Sequence, residues 1–146
     1  MELFLIRDVV SWVAEFSIKT GQLDSFKALV EEMVKSTRNE PNTLAYEWFF
    51  DEDNNTCHAY ERYAGSAATM THLGTFGEKF AERLLSAVDV SRFMAYGAPN
   101  DDVKGVLGGF GSVFLGQLNG FAQQGHTAGR SIWARPTSIR FRMLAF

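Results

Sequence analysis

Two successive strand-helix-strand patterns of almost equal length limit what this chain can fold into. Residues 9–51 and 56–97 span 43 and 42 residues, and each reads as a β-α-β unit. Val9 to Ile18 is rich in β-branched and aromatic residues, with Trp12, Ala14, Phe16 and Ile18 alternating against Val13, Glu15 and Ser17. After the Thr20-Gly21 turn, Leu23, Phe26, Leu29, Val30, Met33 and Val34 form one apolar stripe at helical spacing. Asn39-Glu40-Pro41-Asn42 stops that helix, because proline lacks an amide and restricts the residue before it. Thr43–Asp51 places Leu44, Tyr46, Trp48 and Phe50 on one strand face.

The second unit opens with Thr56–Tyr63. A polar turn at 51–55 joins it to the previous strand as an antiparallel hairpin. Helices are expected over Ser66–Leu73, capped by Ser66, and over Thr75–Leu85. A fourth strand follows over Val88–Gly97, with Val88, Val90, Arg92, Met94 and Tyr96 on one face. Two split β-α-β units predict an α+β, ferredoxin-like β-α-β-β-α-β fold: four antiparallel strands with helices on one face. The bare face would carry aromatic side chains, which make up 14% of the chain, so a second copy is expected to cover it as a homodimer barrel.

The remainder obeys different rules. Residues 1–103 hold all 17 acidic residues, whereas 104–146 hold five basic residues (Lys104, Arg130, Arg135, Arg140 and Arg142) and no acid. The chain therefore divides into a domain at 1–97, an apolar Gly-rich arm at 98–121 and a basic tail at 122–146. The arm is expected to pack on a partner or across a pocket mouth. In the tail, Ser138–Phe146 alternates Ile139, Phe141 and Met143 against Arg140 and Arg142, as an added strand would, though a disordered tail fits as well. Gly108-Gly109-Phe110-Gly111 is no phosphate loop, since no strand directly precedes it and no Lys-Ser/Thr follows.

Composition narrows the function. Hydrophobic residues at 46% and charged residues at 21% are globular values, and a net charge of −3 argues against a nucleic-acid binder. No run approaches the ~20 apolar residues of a membrane span. The apolar run Leu3–Ile6 is cut by Arg7 and Asp8, too short for a signal-peptide core. A single cysteine, Cys57, suits a reducing compartment, so a cytoplasmic location is expected. Three scattered histidines and one cysteine show no metal-ligand spacing.

With its elements in this order the chain resembles the antibiotic-biosynthesis monooxygenase superfamily of dimeric α/β barrels. The residues that carry the resemblance are Val13-Ala14-Glu15-Phe16 with Lys19-Thr20-Gly21, Glu40-Pro41 before the strand Leu44–Trp48, and Glu61-Arg62-Tyr63 followed by Thr71-His72-Leu73. The resemblance covers residues 9–97, and the segment 98–121 looks like an arm of quinol-monooxygenase-like members. It implies oxygenation of phenolic or quinol-type aromatics with O₂, often without metal or flavin, so no cofactor is expected. Other members degrade haem using an Asn on the first strand and a Trp near the end of the third. Ala14 and Tyr63 stand roughly there in this chain, which argues against haem degradation.

Within that resemblance His72 matches the histidine on the helix after the Glu-Arg-aromatic strand, and an imidazole suits a base for a phenolic proton. The alternative is a helix residue hydrogen-bonded for structure. Tyr46, Trp48 and Phe50 would pack a flat aromatic substrate, or serve as core and barrel residues. Tyr63 could hydrogen-bond or stack on a ligand and Glu61 could orient a partner, or the Glu61-Arg62 pair could be structural. The expected function is a cofactor-independent monooxygenase of a small hydroxylated aromatic or quinol. Its rivals are an isomerase or signal-processing enzyme on the same fold and a non-catalytic small-molecule-binding dimer.

Overall fold

The computed structural model describes residues 8–123. The run Leu3–Ile6, His126 and the Ser138–Phe146 segment lie outside the described residues. Nine elements follow in order: β1 (Val10–Ile18), α1 (Leu23–Thr37), β2 (Thr43–Asp51), β3 (Thr56–Tyr63), α2 (Ser66–Lys79), α3 (Ala81–Ala87), β4 (Val88–Gly97), α4 (Asp101–Gly108) and β5 (Val113–Leu115). The fold is the expected ferredoxin-like α+β arrangement with a fifth strand added. Sheet order is β2-β3-β1-β4-β5, antiparallel throughout except that β5 runs parallel to β4. A parallel neighbour needs a crossover, and α4 provides it.

Each strand buries one face. On β1, Trp12, Ala14, Phe16 and Ile18 are buried beneath the helices, while Glu15 and Ser17 are more open. Phe26, Leu29 and Met33 carry the α1 stripe into the same core. Two bulges correct the simple alternation read from sequence. Thr43 and Ala45 pair with consecutive residues Tyr63 and Arg62, which leaves Leu44 as an extra, exposed residue off the Tyr46 face. Glu15 pairs with Arg92 and Phe16 with Val90, which leaves Ser91 extra. Val88 and Val90 therefore face the core with Phe93 and Ala95, while Arg92, Met94 and Tyr96 face away.

The second helical region also differs from expectation. One helix runs through Gly74 to Lys79, and the break falls at Phe80. Its two interior glycines, Gly74 and Gly77, cost only about 1 kcal/mol each, less than burying Thr69, His72 and Leu73 along one face returns. Ser66 does not cap this helix; its hydroxyl accepts the Asn100 amide at 3.0 Å. The Asn100 side chain in turn caps α4 by accepting from the Val103 amide. Val103 and Leu107 of α4 are fully buried, and α4 lies beside α2.

Among the described residues the helices lie on one side. The other face presents Val13, His58, Tyr60, Met94 and Tyr96, with Phe49 56% exposed. No helix among the described residues is long and apolar enough to cross a membrane.

Gly97 ends β4 at φ +100°, and a Cβ there would collide with the Val9 carbonyl oxygen. Gly97→Ala is therefore expected to cost about 1–3 kcal/mol in urea unfolding; an unchanged midpoint would show that the strand end relaxes freely.

Candidate active site

The buried sheet face and the helices above it line a cavity of about 40 Å³ that opens in part to solvent. Its walls are mostly apolar: Trp12, Ala14 and Phe16 from β1, Tyr46 and Trp48 from β2, Phe76 from α2, and Val90 and Phe93 from β4. Leu107 and Phe110 come from α4 and the turn after it, and the Phe110 ring stacks on Phe93 at 5.8 Å. The bulge at Ser91 is what turns Val90 toward this space. Among the described residues, Glu61 and His72 are the only carboxylate and imidazole that reach it.

Glu61 stands on β3 directly between Trp12 of β1 and Tyr46 of β2. His72 comes down from the buried face of α2. Their exposures are 7% and 5%. His72 Nε2 lies 3.4 Å from Glu61 Oε2, and His72 Nδ1 is hydrogen-bonded to Glu40 Oε2 at 3.0 Å. The Thr43 hydroxyl donates to that same Glu40 oxygen at 2.8 Å. On the other side, the Tyr63 hydroxyl donates to Glu61 Oε2 at 2.5 Å. Rings surround the pair: Tyr63 and Tyr46 centre 5.1 and 5.4 Å from the His72 imidazole.

Burial dominates the electrostatics. It pushes the Glu61 carboxyl above its ordinary range; His72, Tyr63 and Trp12 oppose the rise by favouring the anion, while Glu40 adds to it. Burial and then the Glu61 charge push the Tyr63 and Tyr46 hydroxyls upward, so both remain protonated donors rather than bases. Burial alone raises the Cys57 thiol to about 11, which leaves it a packed core residue rather than a nucleophile. Among the described residues no cluster of three His, Cys, Asp or Glu side chains is placed to hold a metal ion.

The structure thus brings Tyr46, Trp48, Glu61, Tyr63 and His72 together. Tyr63 supports Glu61 from behind and does not line the cavity. The Trp48 indole nitrogen is buried without a hydrogen-bond partner among the described residues. Phe50 stands apart near the end of the hairpin, 38% exposed, with Lys27 Nζ 5.7 Å from its ring centre. His58 lies on the open sheet face, 3.4 Å from Glu15. Sequence reasoning missed Glu40 as a site residue. It reads as part of a helix stop, and nothing periodic links it to His72, 32 positions later; only its place before Pro41 in the family-like segment marked it.

Because its pKa is raised in the folded state, Glu61 opposes folding as pH climbs from the ordinary carboxylate range toward the raised value. Tyr63 limits that loss. Tyr63→Phe is expected to destabilise the protein at neutral pH by about 1.5–3 kcal/mol, and by less in acid, where Glu61 is protonated. Urea unfolding across pH checks this; a pH-independent loss would mean the hydroxyl does not act through the Glu61 charge.

The sequence over residues 9–77 matches the family described as antibiotic biosynthesis monooxygenase. No curated protein matches the chain. Among solved structures, MupZ from Pseudomonas fluorescens is similar at 22% identity and a TM-score of 0.70, covering 79% of this chain and 94% of that one. Rv0793 from Mycobacterium tuberculosis is similar at 22% identity and 0.55, covering 64% and 96%. SnoaB from Streptomyces nogalater, described as a cofactor-independent oxygenase, is similar at 16% identity and 0.54, covering 64% and 95%. At these identities the likeness is one of fold, and the larger share for MupZ takes in chain beyond β4. The part of the chain that matches this family, β1 through most of α2, is thus similar to antibiotic biosynthesis monooxygenases.

Proposed function

We propose that this protein is a cofactor-independent monooxygenase that oxidises a small hydroxylated aromatic or quinol with O₂. The observation that carries the reading is a cavity walled by aromatic and aliphatic side chains with one buried carboxylate–imidazole pair in its lining. Its fold is shared with SnoaB, described as a cofactor-independent oxygenase.

Such a cavity suits the chemistry. Tyr46 and Trp48 offer faces for a flat ring, and the unpartnered Trp48 indole N–H is available to a substrate oxygen. The His72–Glu61 pair removes a proton, and the resulting electron-rich anion reduces O₂ without metal or flavin. For a ring carbon bearing two hydrogens, O₂ adds at the deprotonated carbon and the proton returns to the terminal peroxide oxygen. Loss of the second hydrogen as a proton then breaks the O–O bond, giving a carbonyl and one water. The protein contributes position, deprotonation and exclusion of bulk water. Phe50, outside the cavity, belongs to the hairpin surface in this reading.

The same reading includes a homodimer, in a cytoplasmic setting that fits the single buried Cys57. The open sheet face carries Val13, Tyr60, Met94 and the exposed Phe49, an apolar surface of the kind a second copy covers.

Oxygen uptake with a panel of naphthols, anthrones and quinols tests the activity. Wild-type protein is expected to consume O₂ with at least one of them, and His72→Ala to lower the rate about 10²–10⁴-fold. No protein-dependent uptake on any member would remove the monooxygenase reading. Sedimentation tests the dimer: Val13→Arg with Met94→Arg is expected to give monomers from a wild-type dimer, and a monomeric wild type would dispose of it.

A further inference from the structure

We propose that Glu61, rather than His72, is the group that accepts the substrate proton, and that His72 is a positioning residue for it. This rests on the reading that the cavity takes a hydroxylated aromatic. The argument begins with the ring nitrogens of His72. Nδ1 is held by Glu40 at 3.0 Å, and Nε2 faces Glu61 Oε2 at 3.4 Å. A neutral imidazole has one lone pair to accept a proton, and both of its nitrogens are already turned to carboxylates. The ring lines the cavity, yet neither nitrogen is left for a substrate hydroxyl.

Glu61 is placed differently. Among the described residues it is the only carboxylate in the cavity lining, and its Oε2 is the atom held by Tyr63 and approached by His72. One carboxylate oxygen is thus tied to its supports, and the second belongs to the same rigidly held group at the wall. Glu40, the other carboxylate of the cluster, lies behind the imidazole and does not line the cavity. Its contacts with Nδ1 and with the Thr43 hydroxyl orient the ring.

Charge accounting favours the same atom. The titrating groups around Glu61 are His72 from α2, Tyr46 from β2, Tyr63 on β3, and Glu40 beyond the imidazole. Burial first, and then the Glu61 charge, keep both tyrosine hydroxyls protonated, and the same two effects oppose a second anion in the cavity. A base elsewhere would have to create a phenolate beside a charged Glu61. Transfer to Glu61 avoids this. The substrate O–H bond breaks and a Glu61 O–H bond forms. The electron pair stays on the phenolate oxygen, so one negative charge moves from carboxylate to ring and the cavity's total is unchanged. Burial also brings Glu61 closer to a phenol in basicity than an exposed carboxylate would be.

The test separates acceptor from activity by using 4-nitrophenol, whose phenolate is coloured and which needs no O₂. Below the pH at which the free phenol ionises, the wild-type protein is expected to hold the probe as phenolate. Difference infrared spectra should show a new protonated-carboxyl stretch on binding. Glu61→Gln, an isosteric change, is expected to lower the bound phenolate at least about tenfold, one unit on the pKa scale. His72→Gln is expected to retain ionisation with a displaced pH profile, because the carboxylate remains but loses its neighbour. Wild-type infrared spectra keep the question open to answer if Glu61→Gln fails to fold. Undiminished phenolate in Glu61→Gln, its loss in His72→Gln alone, or no ionised probe and no new carboxyl stretch on the wild-type protein would each overturn the assignment. Oxygen uptake with an anthrone, run alongside, keeps the two ideas apart. Ionisation without uptake would remove the monooxygenase and leave Glu61 as acceptor. Uptake by Glu61→Gln at the wild-type rate would remove Glu61 and leave the monooxygenase.

Discussion

A carboxylate buried among aromatic rings must be surrounded by donors, and Glu61 is the group around which this protein arranges them. Isolated ionised carboxylates are too costly in an apolar interior to persist. Here three supports converge on one oxygen or its immediate neighbour: Tyr63 from the same strand, His72 from α2, and, through the imidazole, Glu40 from the turn between α1 and β2. The cluster links the sheet to the helix layer at one spot. It also explains a helix that runs unbroken past Gly74, since the face that buries His72 is the one that docks Leu73 and Phe76 over the same strands.

The one-sided architecture follows from the same division of labour. Helices cover the face that holds Trp12, Glu61 and Phe93, and the polar cluster sits within that covered layer. The opposite face has only side chains, partly apolar and partly paired, such as His58 with Glu15. The bulges at Leu44 and Ser91 serve the covered face: one moves Leu44 off the Tyr46 side, and the other turns Val90 inward to the cavity wall. Each adds one residue and reverses the alternation beyond it. A period-two reading of either strand is therefore right on one side of the bulge and wrong on the other.

Much of the fold is legible in the chain because its signals are local. The α1 stripe from Leu23 to Met33, the proline stop and the alternation of β1 each arise from neighbours a few positions apart, and the structure realises all three. The order of two β-α-β units then leaves few topologies. The helix boundary at Phe80 and the parallel β5 were not legible in this way. A glycine at 74 looks like a break until buried contacts outweigh it, and three residues at 113–115 carry no strand signal of their own until α4 returns them to β4. The site divides along the same line. Tyr46 and Trp48 share a strand face by simple alternation, and Glu61 and Tyr63 share another. Phe50 has the same alternation yet falls beyond the reach of the cavity, because the hairpin extends past the helices that form its roof.

By itself the sequence determined the element order, the ferredoxin-like class, the buried stripe of each main element and the candidacy of His72, all of which follow from spacing, turn chemistry and family-like segments. Only the tertiary structure decided that His72 meets two carboxylates, that Glu40 is one of them, and that Glu61 is the carboxylate in the cavity lining. The reason is that these contacts join residues 11 to 32 positions apart, on β3, on α2 and in the turn between α1 and β2. Their geometry is set by how α2 packs across the sheet, and no periodicity within one element encodes that crossing.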